Sequence, residues 1–233
     1  MQDEKRDKSI KLTPGLILSD LYIKRLRRKG MRIGKRTTIF NSPNVFIDES
    51  RPWMIEIGDD VQITRGVVIL THGYDWSVLK GKYGEVLGSA GKVKIGNNVF
   101  VGMNTVILKG VTIGNNVIIG AGSLVNKDIP DNCVAAGNPA RVIMSLEDYH
   151  EKRIAAQEKE AAELVREYRT VYGRDPDEAA LSEFFWLFTG DDGELPPSWE
   201  AQMQQVGNRA FSGQVLRERK PKYKDLQEFL DNC

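Results

Sequence analysis

Apolar residues recur every six positions along the middle of this chain. From Ile95 to Pro130 the sequence reads IGNNVF VGMNTV ILKGVT IGNNVI IGAGSL VNKDIP, six hexads in unbroken register. The first place holds Ile95, Val101, Ile107, Ile113, Ile119 and Val125. The fifth holds Val99, Thr105, Val111, Val117, Ser123 and Ile129. An α-helix cannot keep a six-residue repeat on one face, because its period is 3.6 residues. Short strands separated by corners can. Gly-Asn-Asn at 96–98 and 114–116 supplies corner chemistry, since Gly and Asn tolerate positive φ. Stacked coils would then bury the first-place column.

An earlier block, Ile33, Ile39, Val45, Ile57, Ile63 and Ile69, keeps one six-residue register. That register asks for an inward residue at 51, where Arg51 stands. Burying an unpaired Arg is prohibitive, so Arg51-Pro52-Trp53 reads as a corner that bulges outward. Such a departure marks either a site or an ordinary bulge. Between Ile69 and Ile95 the repeat breaks off into an excursion loop, HGYDWSVLKGKYGEVLGSAGKV. A long loop in a solenoid is functional or disordered, and this one holds two Tyr and one Trp.

Helical patterns flank the repeats. Residues 1–12 are charged and expected to fray. Residues 14–29 place Leu18, Leu21, Tyr22 and Leu26 on one face, and Gly30 can end that helix. It would cover the open first coil, with Lys24, Arg25, Arg27, Arg28 and Lys29 as a solvated basic end. Attraction of that end to an anionic membrane or a lipid-linked sugar is the lesser reading. Ser145-Leu-Glu-Asp148 resembles a capping box, opening a charged helix to Gly173. Asp175-Pro176-Asp177-Glu178 is a second helix start, leading to Leu181, Phe184, Phe185, Leu187 and Phe188. A loop with Pro196-Pro197 and Trp199 comes next, then a short helix with Tyr223, Leu226, Phe229 and Leu230. The expected organisation is a helical cap (1–30), a repeat domain (31–144, excursion 72–94) and a helical extension (145–233).

Composition narrows the function classes. Hydrophobic content of 41% and charged content of 28% are ordinary for a soluble protein. A net charge of +1 gives no pull toward nucleic acid. Cys133 and Cys233 make no disulfide framework, which fits a reducing compartment. Cys133 reads as a small buried residue, not a nucleophile. No apolar run approaches the ~18 residues of a membrane span. MQDEKRDKSIK is not followed by a signal-peptide core. A cytoplasmic location is expected.

The hexads, with Lys94 to Val142 ending in AAGNPARV, resemble the hexapeptide-repeat acyltransferases, and in particular the maltose and galactoside O-acetyltransferase branch. The resemblance covers roughly residues 30–143 and none of 146–233. It implies an all-β core, a left-handed parallel β-helix with three hexads per triangular coil, and a homotrimer with sites between subunits. It implies acetyl-CoA as donor, with no metal. In ILTHGYDW, His72 stands where the family carries its catalytic His. A base that works near neutral pH suits imidazole, whose ordinary pKa is ~6.5. Glu85 resembles the loop Glu that partners this His, and Asp75 is an alternative. Asn44 aligns with the acceptor-binding Asn, with Asn41 close by; Asp75 and Trp76 are further acceptor-binding candidates. Pro52 replaces an acidic residue that related sugar acetyltransferases use. For the donor, the resemblance implies backbone contacts at Met103 and Ala121. It also implies Asn126-Lys127, in place of the usual Thr-Lys or Ser-Lys, and Arg141, the two cations meeting phosphates.

The implied activity is acetyl transfer from acetyl-CoA to a sugar hydroxyl, such as a unit or precursor of a surface polysaccharide. Acetylation of an antibiotic or of an amino-sugar nucleotide on the same fold is the alternative. A three-His zinc hydratase on this coil is excluded, because the chain has only His72 and His150. A non-catalytic scaffold would have no need of His72, Glu85 and Lys127 together.

Overall fold

A computed structural model describes residues 14–190 and 193–233. The fraying expected at residues 1–12 lies outside them. Each hexad folds as a two- or three-residue strand and a corner, and successive strands go to three different sheets in rotation. The first wall pairs Arg32–Ile33, Ile55–Ile57, Val93–Ile95 and Thr112–Ile113. The second pairs Thr38–Ile39, Gln62–Ile63, Val99–Val101 and Val117–Ile119, then Cys133–Gly137 and an antiparallel final strand, Ala140–Ser145. The third pairs Phe46–Ile47, Val68–Ile69, Val106–Ile107 and Leu124–Val125. Coil-to-coil pairing is parallel throughout the three walls, as in Ile47 beside Ile69 and Ile69 beside Ile107. The result is a three-walled parallel β-helix.

Both repeat columns point inward. Ile95, Val101, Ile107, Ile113, Ile119 and Val125 are at most 1% exposed. Fully burying one such side chain contributes about 1.5–3 kcal/mol. The fifth-place residues fill the same core, Thr105 and Ser123 included; their hydroxyls both bond the Gly120 carbonyl, which removes the cost of burying them. The two halves of the Gly-Asn-Asn corner do different work. Asn98 and Asn116 take the positive φ, at 53° and 55°. Gly96 is needed for close approach, since a Cβ there would lie 2.5 Å from the Gly114 carbonyl oxygen. At the edge between the first and second walls, side-chain oxygens capture backbone N–H groups of the coil below. Asp59 N–H reaches Asn97 Oδ1 at 2.8 Å, Asn97 N–H reaches Asn115 Oδ1 at 2.9 Å, and Asn115 N–H reaches Asp131 Oδ1 at 2.7 Å.

The first coil departs from the expected register. Ile47, not Val45, is the inward partner of Ile69. A 3₁₀ turn at Ser42–Asn44 lengthens the preceding corner by two residues. Ile47 and Ile57 are then ten residues apart instead of six, and the excess forms a second 3₁₀ turn, Pro52–Met54. Pro52 is buried there, while Arg51 stays half-exposed and Trp53 is 64% exposed. The outward corner expected at Arg51 is present.

Helix α1 (Pro14–Arg28) covers the first coil as expected, but with Tyr22 and Leu26 of the expected face and not Leu18 and Leu21. Ile23 and Leu26 enter the core, and Ser19 Oγ accepts the Ile39 N–H at 2.8 Å. Leu18 and Leu21 are exposed. The excursion is more ordered than a loop. His72–Gly73 and Ser89–Ala90 make a two-stranded antiparallel ribbon, and helix α2 (Trp76–Tyr83) lies between them with no buried residue.

The chain divides into two compact units, one ending at Tyr149 and the other His150–Cys233. Ser145 Oγ accepts the Asp148 N–H at 3.0 Å, and helix α3 (Leu146–Tyr172) starts there as the capping box predicts. The second unit has its own core, with Phe185 stacked on Trp199 at 5.3 Å and Phe188 on Phe229 at 5.5 Å. The helix predicted after Asp177 does not form: turns lead into a 3₁₀ segment, Phe185–Leu187. Phe185, Leu187 and Phe188 are all buried, and one helix face cannot bury positions two apart. The segment read as a loop contains helices α4 (Pro197–Met203) and α5 (Arg209–Glu218), with Trp199 buried; α6 (Leu226–Asp231) closes the chain. Among the described residues no helix is long and apolar enough to cross a membrane.

Candidate active site

Two departures from the hexad rule stack on the same edge of the prism, between the third and first walls. One is the long corner after Ile47; the other is the excursion after Ile69. Because Ile47 pairs with Ile69, and Asp48 N–H donates to the Ile69 carbonyl at 3.0 Å, the start of one corner lies beside the start of the other. The side chains of Asp48 and His72 meet there.

Asp48 is 3% exposed and accepts at both carboxylate oxygens. Oδ1 takes the Ser50 N–H at 3.0 Å and the Ser50 hydroxyl at 2.6 Å. Oδ2 takes the Thr71 N–H at 3.3 Å, the Thr71 hydroxyl, and His72 Nδ1 at 2.6 Å. Burial alone would push this carboxyl up. The bonds from Ser50, Thr71 and His72 outweigh burial and hold its pKa well below the usual carboxylate range. Asp48 is therefore ionised at neutral pH. Facing a carboxylate, which can only accept, His72 Nδ1 carries the hydrogen of this bond, and Nε2 is the ring nitrogen turned away from Asp48. The ribbon fixes the backbone beneath: Gly91 N–H bonds the Thr71 carbonyl at 2.9 Å, and His72 pairs with Ala90. On the other side of the corner, Arg25 and Lys29 of α1 each reach Glu49 at 2.6 Å, tying the helix to the residue next to Asp48. The pair can take a proton from a hydroxyl presented to Nε2.

The carboxylate on His72 is Asp48 and neither of the two expected. Glu85 is exposed and follows Gly84, the left-handed residue that ends α2. Asp75 is exposed at the start of α2. They flank helix α2 on the excursion, whereas the ring nitrogen is aimed at the neighbouring coil. Asp48 had a signal in the sequence: it stands beside the Arg51 irregularity, and it immediately follows Ile47 as Leu70 follows Ile69. The register that used Val45 hid this relation.

The other expected residues distribute over two edges. Asn44, Met103 and Ala121 are exposed on the corners between the second and third walls. Asn44 Nδ2 donates to Asn41 Oδ1 at 2.9 Å, and its carbonyl accepts the Gly66 N–H. Met103 and Ala121 lie on successive corners, joined by Gly122 N–H to the Met103 carbonyl at 2.7 Å. Asn126 and Lys127 are exposed on the same edge as His72, higher up the coil. Arg141 is exposed on the last strand and donates to the Ala140 carbonyl. Trp76 is half-buried at the start of α2. Cys133 is buried, and burial pushes its thiol up, away from nucleophilic use. His150 is exposed.

The chain is similar to known proteins. The family profile "Bacterial transferase hexapeptide (six repeats)" matches residues 92–127. The chain is 44% identical to Protein CapG of Staphylococcus aureus over 61% of its own length and 81% of that protein's. It is 38% identical to the putative acetyltransferase YvoF of Bacillus subtilis over 52% of this chain and 64% of YvoF. It is 46% identical to the galactoside O-acetyltransferase of Escherichia coli over 41% of this chain and 46% of that enzyme, so the match spans about half of that relative. Hexad columns, three-walled coils and a match across most of a relative agree: the chain belongs to the bacterial hexapeptide-repeat transferase family and is one of its enzymes.

Proposed function

We propose that this enzyme transfers an acetyl group from acetyl-CoA to a hydroxyl of a sugar, with His72 as general base. The observation that carries the reading is the Asp48–His72 pair, an ionised buried carboxylate that leaves Nε2 free to accept a proton. The similarity to a galactoside O-acetyltransferase supports a sugar acceptor. The acceptor hydroxyl loses its proton to Nε2 as its oxygen attacks the thioester carbonyl. A backbone N–H stabilises the oxyanion. The intermediate collapses by breaking the C–S bond, and the imidazolium returns the proton to the departing sulfur. No acyl-enzyme forms, and the buried Cys133 takes no part.

The donor surface also fits the reading. Coenzyme A offers amides along its pantetheine arm and phosphates at its far end. The corners at Met103 and Ala121 present backbone at the surface. Gly102 brings the coils so close that a Cβ there would meet Ala121 N at 2.5 Å. Among the described residues Lys127 has no carboxylate partner, so it is available to phosphate, and Arg141 is exposed beside the last coil. His72 and Lys127 share one edge, while Asn44, Met103 and Ala121 share the next. A homotrimer, in which a neighbouring subunit closes the gap between donor and base, is part of the proposal, as is a left-handed winding of the coils. Incubating the purified protein with acetyl-CoA and a panel of sugars, and following thiol release, tests it. Release that depends on a sugar and disappears in His72→Ala supports the reading. Release with amines or amino-sugar nucleotides only would move the chemistry to N-acetylation.

A further inference from the structure

The excursion after Ile69 carries three rings in alternate positions: His72, Tyr74 and Trp76. They form a row. The Tyr74 phenol stands edge-on to the imidazole, with centroids 5.3 Å apart and planes at 66°. The Trp76 indole follows, 6.1 Å further on and tilted by 44°. Tyr74 is 71% exposed, and Trp76, at the start of α2, is half-buried. Packing of the ribbon therefore does not account for the Tyr74 ring, and it leaves part of the indole open beside it. A row of rings that reaches solvent beside the proposed base calls for a ligand, because Tyr and Trp give rigid apolar contact area at little cost in side-chain entropy.

The geometry points to an acceptor that is an oligosaccharide. One sugar presents its hydroxyl to His72 Nε2, and the adjoining sugar lies against Tyr74 and Trp76. This inference rests on the sugar acetyltransferase reading and extends it. Each centroid step in the row is close to the length of one pyranose ring. A monosaccharide bound at His72 would thus leave the indole uncovered, while a chain of two or more units would cover it. The apolar C–H face of a pyranose suits an aromatic face, and its equatorial hydroxyls remain directed to water. The L-shaped corner between imidazole and phenol also restricts how the first sugar can turn, so the second subsite would orient the reacting hydroxyl as well as add affinity. Tyr74 and Trp76 are then specificity-determining residues.

The test uses the full chain and the acceptor sugar that the thiol-release screen identifies, supplied free and as its glycosidic dimer and tetramer. Wild type is expected to use the dimer with kcat/KM about tenfold above the monosaccharide, the scale of one well-formed aromatic contact. Trp76→Ala and Tyr74→Leu should each lose most of that ratio, mainly through KM for the extended acceptor. Trp76→Phe, which keeps a ring, should retain it. The indole also supplies a second readout: dimer binding should quench the tryptophan fluorescence of wild type more than that of Trp76→Phe. Equal kcat/KM for monosaccharide and dimer in wild type would overturn the inference while leaving sugar acetylation intact. So would variants with normal melting that keep the tenfold ratio, since that is the behaviour of rings with a structural role only. Absence of transfer to every sugar would instead remove the parent reading, and the inference with it.

Discussion

Replacing Asp48 by Asn tests the core of the site with the smallest change in shape. Five donors converge on this carboxylate: the N–H and hydroxyl of Ser50, the N–H and hydroxyl of Thr71, and His72 Nδ1. An amide offers one oxygen and one NH₂. Hydroxyls can turn round and imidazole can change tautomer, but the two backbone donors cannot adapt. The amide oxygen is expected on the Ser50 side, where the backbone bond is 3.0 Å, because the Thr71 bond is the longer at 3.3 Å. The NH₂ then faces His72. Nδ1 must accept from it, the hydrogen moves to Nε2, and the nitrogen that should take the acceptor's proton is blocked. A wrong tautomer of this kind can cost ~10⁴-fold in kcat in a serine-protease triad, and a positioned general base is worth ~10²–10⁴-fold. A loss of kcat in that range is expected, with KM for acetyl-CoA unchanged. Stability should fall by about 1.5–3 kcal/mol through the weakened charge-assisted bonds. That loss has a pH signature. The folded-state pKa of Asp48 lies below its unfolded value of ~3.9. Its stabilisation is therefore complete above that value and disappears as pH falls through the lower folded one. The melting difference between wild type and Asp48→Asn should accordingly be largest at neutral pH and shrink below about pH 4. Thiol release at 25 °C and melting curves from pH 3 to 7 measure both. Retention of more than about a tenth of wild-type kcat, well above that range, would refute the orienting role of Asp48.

His72→Ala and His72→Asn should each lose ~10²–10⁴-fold in kcat while acetyl-CoA binding persists, because Asn keeps polarity but not basicity; isothermal calorimetry with coenzyme A separates the two effects. Lys127→Ala and Arg141→Ala should raise KM for acetyl-CoA far more than KM for the sugar, and unchanged donor affinity in both would remove them from the donor site. Light scattering should give the mass of three chains at micromolar concentration; a stable monomer would contradict the shared-site geometry. The two cores have no residue in common, so ending the chain after Tyr149 should leave the melting of the β-helix within a few degrees of its value in the full chain.

The walls of the prism were legible in the sequence and its edges only in part. Ile95 to Val125 could be assigned because a strand pair in a parallel stack repeats its chemistry at each coil, and two inward residues per hexad are forced by the core. His72 could be found because it is one of two histidines and stands where the repeat stops. Asp48 could not be paired with it, because the pairing depends on register, and register in the first coil is changed by two insertions. The Ser42–Asn44 turn moves the first place of the hexad from Val45 to Ile47, while Val45 stays buried two residues before it. A pattern read in steps of six passes over that shift and reports it later, as a misplaced Arg51. Leu18 and Leu21 of α1 were misread for a related reason, whereas Tyr22 and Leu26 pack as expected. Leu18 and Leu21 satisfy a helical apolar stripe, yet the open coil offers an unpaired backbone N–H at Ile39, and Ser19 is buried to meet it.

The division between walls and edges also explains how this fold can keep its core and change its chemistry. Along the walls a residue is constrained from three sides. Ile47, Ile69 and Ile107 stand in register on successive coils with at most 2% exposure, so a change in one meets the next. At an edge, a corner can lengthen outward while the flanking strands stay in register, as the ten residues from Ile47 to Ile57 show. Extra length on two successive coils at one edge then brings together groups 24 residues apart, which is the separation of Asp48 and His72. The rigid coil fixes their distance by the spacing of neighbouring strands, ~4.8 Å. Two short side chains reaching across such a gap meet at hydrogen-bond range without any hinge or closing motion. In the proposed mechanism the imidazole of His72 is thus oriented before any substrate arrives, and what remains for the rest of the edge, the rings of the excursion included, is to decide which hydroxyl is presented to it.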